Sequence, residues 1–116
     1  MTDRTYWRLT DIKAAIIEIN KLLEGKSSDI LSTDRAVRAA FERFLEIASE
    51  ASRHIPQEWK DEFSEIPWRR VADLGNHIRH VYHKIDLDLL WLIYTEELPR
   101  LEAVIEQLIN RAKPPR

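Results

Sequence analysis

Cysteine is absent from this 116-residue chain, and glycine occurs only twice. Without a thiol there is no disulfide framework, thiolate zinc site, iron–sulfur cluster or cysteine nucleophile. Two glycines cannot build a glycine-rich phosphate loop or a GxGxxG dinucleotide fingerprint. They also argue against a sandwich of many short strands joined by tight turns. A dominant charge is missing too: 18 basic and 20 acidic residues leave a net −2, so no global field draws the protein to nucleic acid or to an anionic membrane. The longest apolar runs, such as residues 89–93, fall far short of the ~20 residues that span a bilayer. The first ten residues include Asp3, Arg4 and Arg8 and lack the apolar core of a signal peptide. A cytoplasmic protein without membrane contact is the expectation.

What remains is helical. The length suits one domain over residues 1–116 with an adequate core; residues 113–116, which hold two prolines, form an expected frayed tail. Ile12, Ala15, Ile16, Ile19, Leu22 and Leu23 recur at helical spacing, with Thr10 or Asp11 as the cap and Gly25 just past the end. Residues 26–32 read as a polar connector. A second helix opens at Thr33 or Asp34, with Val37, Ala40, Phe41, Phe44, Leu45, Ala48 and Ala51 as its stripe, and ends before Pro56. Residues 57–66 form a short link carrying Trp59 and Phe63. Pro67 suits the first position of a third helix, whose stripe is Val71, Leu74, Ile78, Val81 and Ile85. A fourth begins near Asp86 and runs along Leu87, Leu90, Trp91, Tyr94, Leu98, Leu101, Ile105 and Leu108. Pro99 predicts a kink or break near Glu97 and Leu98. The fold class expected is all-α, an up-down bundle of four to five helices.

The third helix has an unusual outer face. Asn76, Arg79, His80 and His83 stand at i, i+3, i+4 and i+7, opposite Leu74, Ile78 and Val81. Gly75 and Asn76 cost a helix interior about 1–2 kcal/mol against alanine, so close packing or a ligand is the expected return. Residues 67–84 carry +3, from Arg69, Arg70, Arg79 and Lys84 against Asp73, on a chain that is acidic elsewhere. Imidazole can take or give a proton at neutral pH, and guanidinium can hold a phosphate. Together they suit metal-independent RNA cleavage, in which the ribose 2′-OH attacks its own phosphate. Two copies of the face across a two-fold axis would double the groups available.

Other readings stand beside this one. His77, His80 and His83 fan across more than half the helix, too wide for one metal ion, so neither a metal nor a cofactor is expected. Asn76 can be an orienting partner or a ligand contact. Tyr82 can be a residue at the core edge with its hydroxyl at the rim. Glu50 is either solvated or bonded into the bundle. Trp7, Trp59, Trp68 and Trp91 read as core or interface rather than a stacking platform for bases.

The run Ile66-Pro67-Trp68-Arg69-Arg70-Val71-Ala72-Asp73-Leu74-Gly75-Asn76-His77-Ile78-Arg79-His80-Val81-Tyr82 resembles the HepT-like branch of the HEPN superfamily. Asp86, Trp91 and Leu98-Pro99-Arg100-Leu101 resemble it as well, as does Leu45-Glu46-Ile47-Ala48-Ser49-Glu50-Ala51. The resemblance implies a homodimeric helical bundle acting as a ribonuclease toxin, paired with a minimal nucleotidyltransferase antitoxin. The family motif, Arg-x4-His-x-Tyr with Asn after the Arg, places its His on His80, Tyr on Tyr82 and Asn on Asn76. Its Arg position falls on Gly75, and Arg79 is the expected substitute. By this reading His80 and Arg79 are catalytic, Asn76 and Tyr82 orient them, and Arg70, His83 and Lys84 contact RNA. The alternative is an impaired binding module, partner and substrate of the nucleotidyltransferase, with Tyr82 as adenylyl acceptor.

Overall fold

A computed structural model describes residues 3–78 and 84–112. Among them all regular structure is helical: α1 (Asp3–Leu23), α2 (Ile30–Thr33), α3 (Arg35–Ser52), α4 (Gln57–Asp61), α5 (Trp68–Ile78), α6 (Lys84–Leu92), a π-helical turn (Ile93–Glu97) and α7 (Leu98–Arg111). No helix of the described residues is long and apolar enough to cross a membrane.

The core is built on α1 and α3. Helix α1 packs on α3 and α7, and α3 in turn carries α5. Ile12, Ala15, Ile16, Ile19 and Leu23 of α1 are buried, as are Phe41, Leu45, Ala48 and Ala51 of α3. Leu98, Leu101, Val104, Ile105 and Leu108 of α7 close the third side. The expected stripes are therefore the packed ones, with Leu22, Val37 and Phe44 half-buried at their margins.

Local chemistry explains most boundaries. Gly25 takes φ 75°, the left-handed turn that lets the chain leave α1. The Asp34 carboxylate accepts from the Val37 N–H at 3.1 Å and caps α3. Trp68 begins α5 directly after Pro67, whose carbonyl accepts the Val71 N–H at 3.0 Å. Pro99 has no N–H to bond the carbonyl of Thr95, so the preceding ladder widens by one residue. The Leu98 N–H reaches back to the Ile93 carbonyl, and the expected break takes the form of a π turn.

Two segments differ from the sequence reading. Helix α1 begins at Asp3, well before Thr10, because Thr5 and Leu9 continue its buried stripe. The Thr10 hydroxyl is not a cap; it donates to the Trp7 carbonyl within the helix. Residues 26–32 are not simply a polar connector. The single-turn α2 starts inside them and drives Leu31 into the core, while the Ser32 and Thr33 hydroxyls fold back onto the Asp29 carbonyl. The expected link at 57–66 holds the single turn α4, whose Trp59 is buried beneath the Arg111 guanidinium at 5.2 Å. Arg111 also forks onto Glu62 at 2.7 and 3.1 Å, pinning the end of α7 to the turn before α5.

Candidate functional site on the outer face of α5

Helix α5 is set in place from three sides. At its start the Trp68 indole N–H donates to the Lys60 and Phe63 carbonyls, both at 3.1 Å. Along its inner face Leu74 and Ile78 are buried and Val71 is partly so. Beside it, the small residues Ala48, Ser49, Ala51 and Ser52 of α3 are all buried, which lets the two helices approach closely.

Ser49 makes the joint specific. Its hydroxyl donates to the Ala72 carbonyl at 2.9 Å and accepts the Gly75 N–H at 3.3 Å. One buried side chain thus bonds two successive levels of α5. Among the described residues, a Cβ placed on Gly75 would meet only the Ser49 Oγ, at 3.8 Å. That is ordinary contact, so packing alone does not demand glycine at this position.

The outward face of α5 carries Arg69, Arg70, Asp73, Asn76 and His77, all exposed. Asn76 and His77 occupy the last turn, which leads directly into the sequence Arg79-His80-Val81-Tyr82-His83. Those five residues lie outside the described ones, so the expected places of His80, Arg79, Tyr82 and His83 stand as proposals. The same holds for the third helix continuing through Val81. Lys84 opens α6. Of the expected site residues, Asn76 and Arg70 are on one helix and both are exposed.

Arg70 is engaged. It pairs with Glu97 of the π turn, and the two lie beside Arg100 at the junction of two cavities. One, of about 220 Å³, is apolar and sits between Leu45, Ile66, Leu74, Ile93 and Leu101. The other is an open groove of about 980 Å³ between α5 and α6, bordered by Arg69, His77, Leu89, Leu92 and Arg100. Leu89 and Leu92 are 48% and 52% exposed beside this groove, an unusual position for two large aliphatic side chains.

Arg53 was not foreseen. It closes α3 and reaches across to α5, where its Nη2 donates to the Ala72 carbonyl at 2.7 Å. Glu50 and Asp73 approach it at 3.7 and 4.0 Å. Glu50 itself is exposed and also faces His54 at 3.5 Å, which is the solvated reading of that residue. Burial first, and the Arg53 charge second, hold Lys60 below the ordinary lysine range. The sequence signal for this contact was the run of small residues on α3, which announces a closely approaching helix without saying which one.

A sequence model of the family described as "Ribonuclease HepT-like" matches residues 12–108. The chain belongs to this HepT-like family. A Thermococcus cleftensis protein named "Probable ribonuclease HepT" is 34% identical over 100 residues, covering 86% of this chain and 91% of that one. A Methanocaldococcus jannaschii protein carrying the name "Putative RNase" is 37% identical over 103 residues, covering 83% and 94%. No solved structure gives a significant match. The HepT-like match spans the α5 face and the π turn together, so every element that positions the candidate site lies within it.

Proposed function

We propose that this HepT-like chain is a metal-independent endoribonuclease, the toxin of a toxin–antitoxin pair. In this reading it is a single up-down helical domain that works as a homodimer, with the α5 faces of two copies forming one composite site. The observation that carries the proposal is the outer face of α5. Its last turn exposes Asn76 and His77 while Leu74 and Ile78 anchor the helix from behind. The relatives' names supply the substrate class, RNA, and the exposed Leu89 and Leu92 beside the groove give a second copy something apolar to cover.

The chemistry follows from imidazole and guanidinium. The ribose 2′-oxygen bonds to phosphorus while the bond to the 5′-oxygen breaks, leaving a 2′,3′-cyclic phosphate and a free 5′-hydroxyl. His80 takes the 2′-OH proton, and its counterpart in the partner copy gives one to the leaving 5′-oxygen. Arg79 steadies the charge that grows on the phosphate oxygens. Asn76 and Tyr82 orient these groups, and Arg70, His83 and Lys84 contact the strand on either side. Arg70 must exchange Glu97 for phosphate to do so.

The test compares wild type with His80→Ala and Arg79→Ala on single-stranded RNA in buffer containing a chelator. Wild type cleaves, and each variant loses on the order of 100-fold in rate. Cleavage that the chelator abolishes, or equal activity in all three proteins, rejects the mechanism. A second reading is favoured by Gly75, which leaves the family's motif arginine position without a side chain. In that reading the chain is the binding partner and substrate of a minimal nucleotidyltransferase. Incubation with such an enzyme and ATP then adds an adenylyl mass on Tyr82 to a protein that cleaves no RNA.

A further inference from the structure

The guanidinium of Arg53 lies against α5 at the Ala72 carbonyl, one turn before Gly75, which has no side chain of its own. In an α-helix each carbonyl points toward the C-terminus, so the oxygen of Ala72 faces the N–H of residue 76. A group bound to the Ala72 oxygen therefore stands level with Gly75 and Asn76. Arg53 is bound there at 2.7 Å, and Ser49 fixes the same carbonyl from below at 2.9 Å. Gly75 has no side chain to place between them, and among the described residues only the Ser49 Oγ comes within 4 Å of where its Cβ would stand.

Arg53 also retains unused donors. The Ala72 bond takes one of the five N–H groups of the fork. The approaches of Glu50 and Asp73, at 3.7 and 4.0 Å, are longer than hydrogen bonds, and both carboxylates are well exposed. Its charge is felt as far as Lys60. Arg70, by contrast, faces a carboxylate that is only 30% exposed, and that carboxylate must be displaced before Arg70 can accept another anion.

We propose that Arg53, supplied by α3, is a guanidinium that grips the scissile phosphate beside Asn76. This rests on the ribonuclease reading above and adds a second phosphate ligand to Arg79. Arg53 touches the non-bridging oxygens and moves no proton. The Ala72 carbonyl holds one arm of the fork, so the remaining donors are aimed before substrate arrives. An arginine held this way loses little freedom on binding, which suits it to a charge that develops in the transition state.

The experiment measures cleavage and binding of a fluorescein-labelled, mixed-sequence single-stranded RNA. The proteins are wild type, Arg53→Ala, Arg53→Lys and the double variant Arg53→Ala/Gly75→Arg. Arg53→Ala lowers kcat/KM on the order of 100-fold, and Arg53→Lys, which keeps the charge and the bond to Ala72, lowers it about tenfold. Gly75→Arg delivers a guanidinium to the same level of α5 from the other helix and recovers most of the loss. A merely structural role for Arg53 would not be rescued this way. Arg53→Ala cleaving within about threefold of wild type overturns the proposal while leaving the ribonuclease reading intact. A loss that Gly75→Arg does not restore overturns it too. If wild type cleaves no RNA, the ribonuclease reading has failed and the binding arm decides. Affinity that falls about tenfold in Arg53→Ala and returns in the double variant supports Arg53 as a phosphate ligand. Unchanged affinity, or no binding by wild type, overturns it.

Discussion

Helices α1, α3 and α7 obey one rule and helices α5 and α6 another. In the first group nearly every apolar residue on the stripe is buried, and the outward faces carry ion pairs such as Lys13 with Glu106 and Arg38 with Glu42, with Trp7 and Ile17 of α1 the exposed apolar exceptions. In the second group the inner face is equally well packed. The outer face, however, exposes Leu89 and Leu92 together with Arg69, Asn76 and His77. What marks the second group is that its aliphatic pair and its histidine border one open groove, together with Arg69 and Arg100. The contrast separates what holds the molecule together from what it offers to others, and Ser49 with Arg53 is where the two groups are joined.

Substitutions in the two groups should have effects of graded size. Phe41 is fully buried at the centre of the scaffold group. Phe41→Ala should cost about 3–5 kcal/mol in chemical denaturation, through lost burial and the cavity left behind. Ser49→Ala breaks the joint between the groups. It removes the bonds to Ala72 and Gly75 and should cost about 1–2 kcal/mol, with faster hydrogen exchange of α5 amides than of α1 amides. Leu92→Ser alters only the outward face and should leave stability within about 0.5 kcal/mol, measured on dilute protein. If Leu92→Ser proved as damaging as Phe41→Ala, the division between scaffold and offered surface would be wrong.

How far the fold could be read from sequence depended on the range of the interaction concerned. The Asp34 cap, the Gly25 turn and the break before Pro99 are set by neighbours within a few residues, and each appears where the spacing placed it. The start of α1 was missed because a threonine stands at a core position. Thr5 is buried, and a polar residue in the stripe hides the periodicity that Leu9 would otherwise have extended. Helix α2 was missed for a different reason. Four residues of helix have little stability of their own, and this turn persists because Leu31 inserts into the core.

The site divides in the same way. The polar face of α5 was visible because Asn76 and His77 fall opposite Leu74 and Ile78 by helical spacing alone. The Glu97 partner of Arg70 and the Ala72 contact of Arg53 were not visible. They join residues 27 and 19 positions apart, through a π turn and a helix crossing that no local pattern encodes. Gly75 could be recognised as unusual, but its neighbour Ser49 could not be paired with it from spacing.

The π turn has a consequence for the length of the final rod. Ile93 and Leu98 are both buried, and the Leu98 N–H bonds the Ile93 carbonyl five positions back, because the turn holds one residue more than an α-helical turn does. That surplus residue works as a phase adjuster between α6 and α7. It keeps Leu87, Leu90 and Ile93 in line with Leu98, Leu101 and Ile105, and at the same time swings Glu97 to the rim where Arg70 waits. Core alignment and the electrostatic neighbour of Arg70 are therefore set by a single count along the backbone, and neither can drift by one position without carrying the other with it.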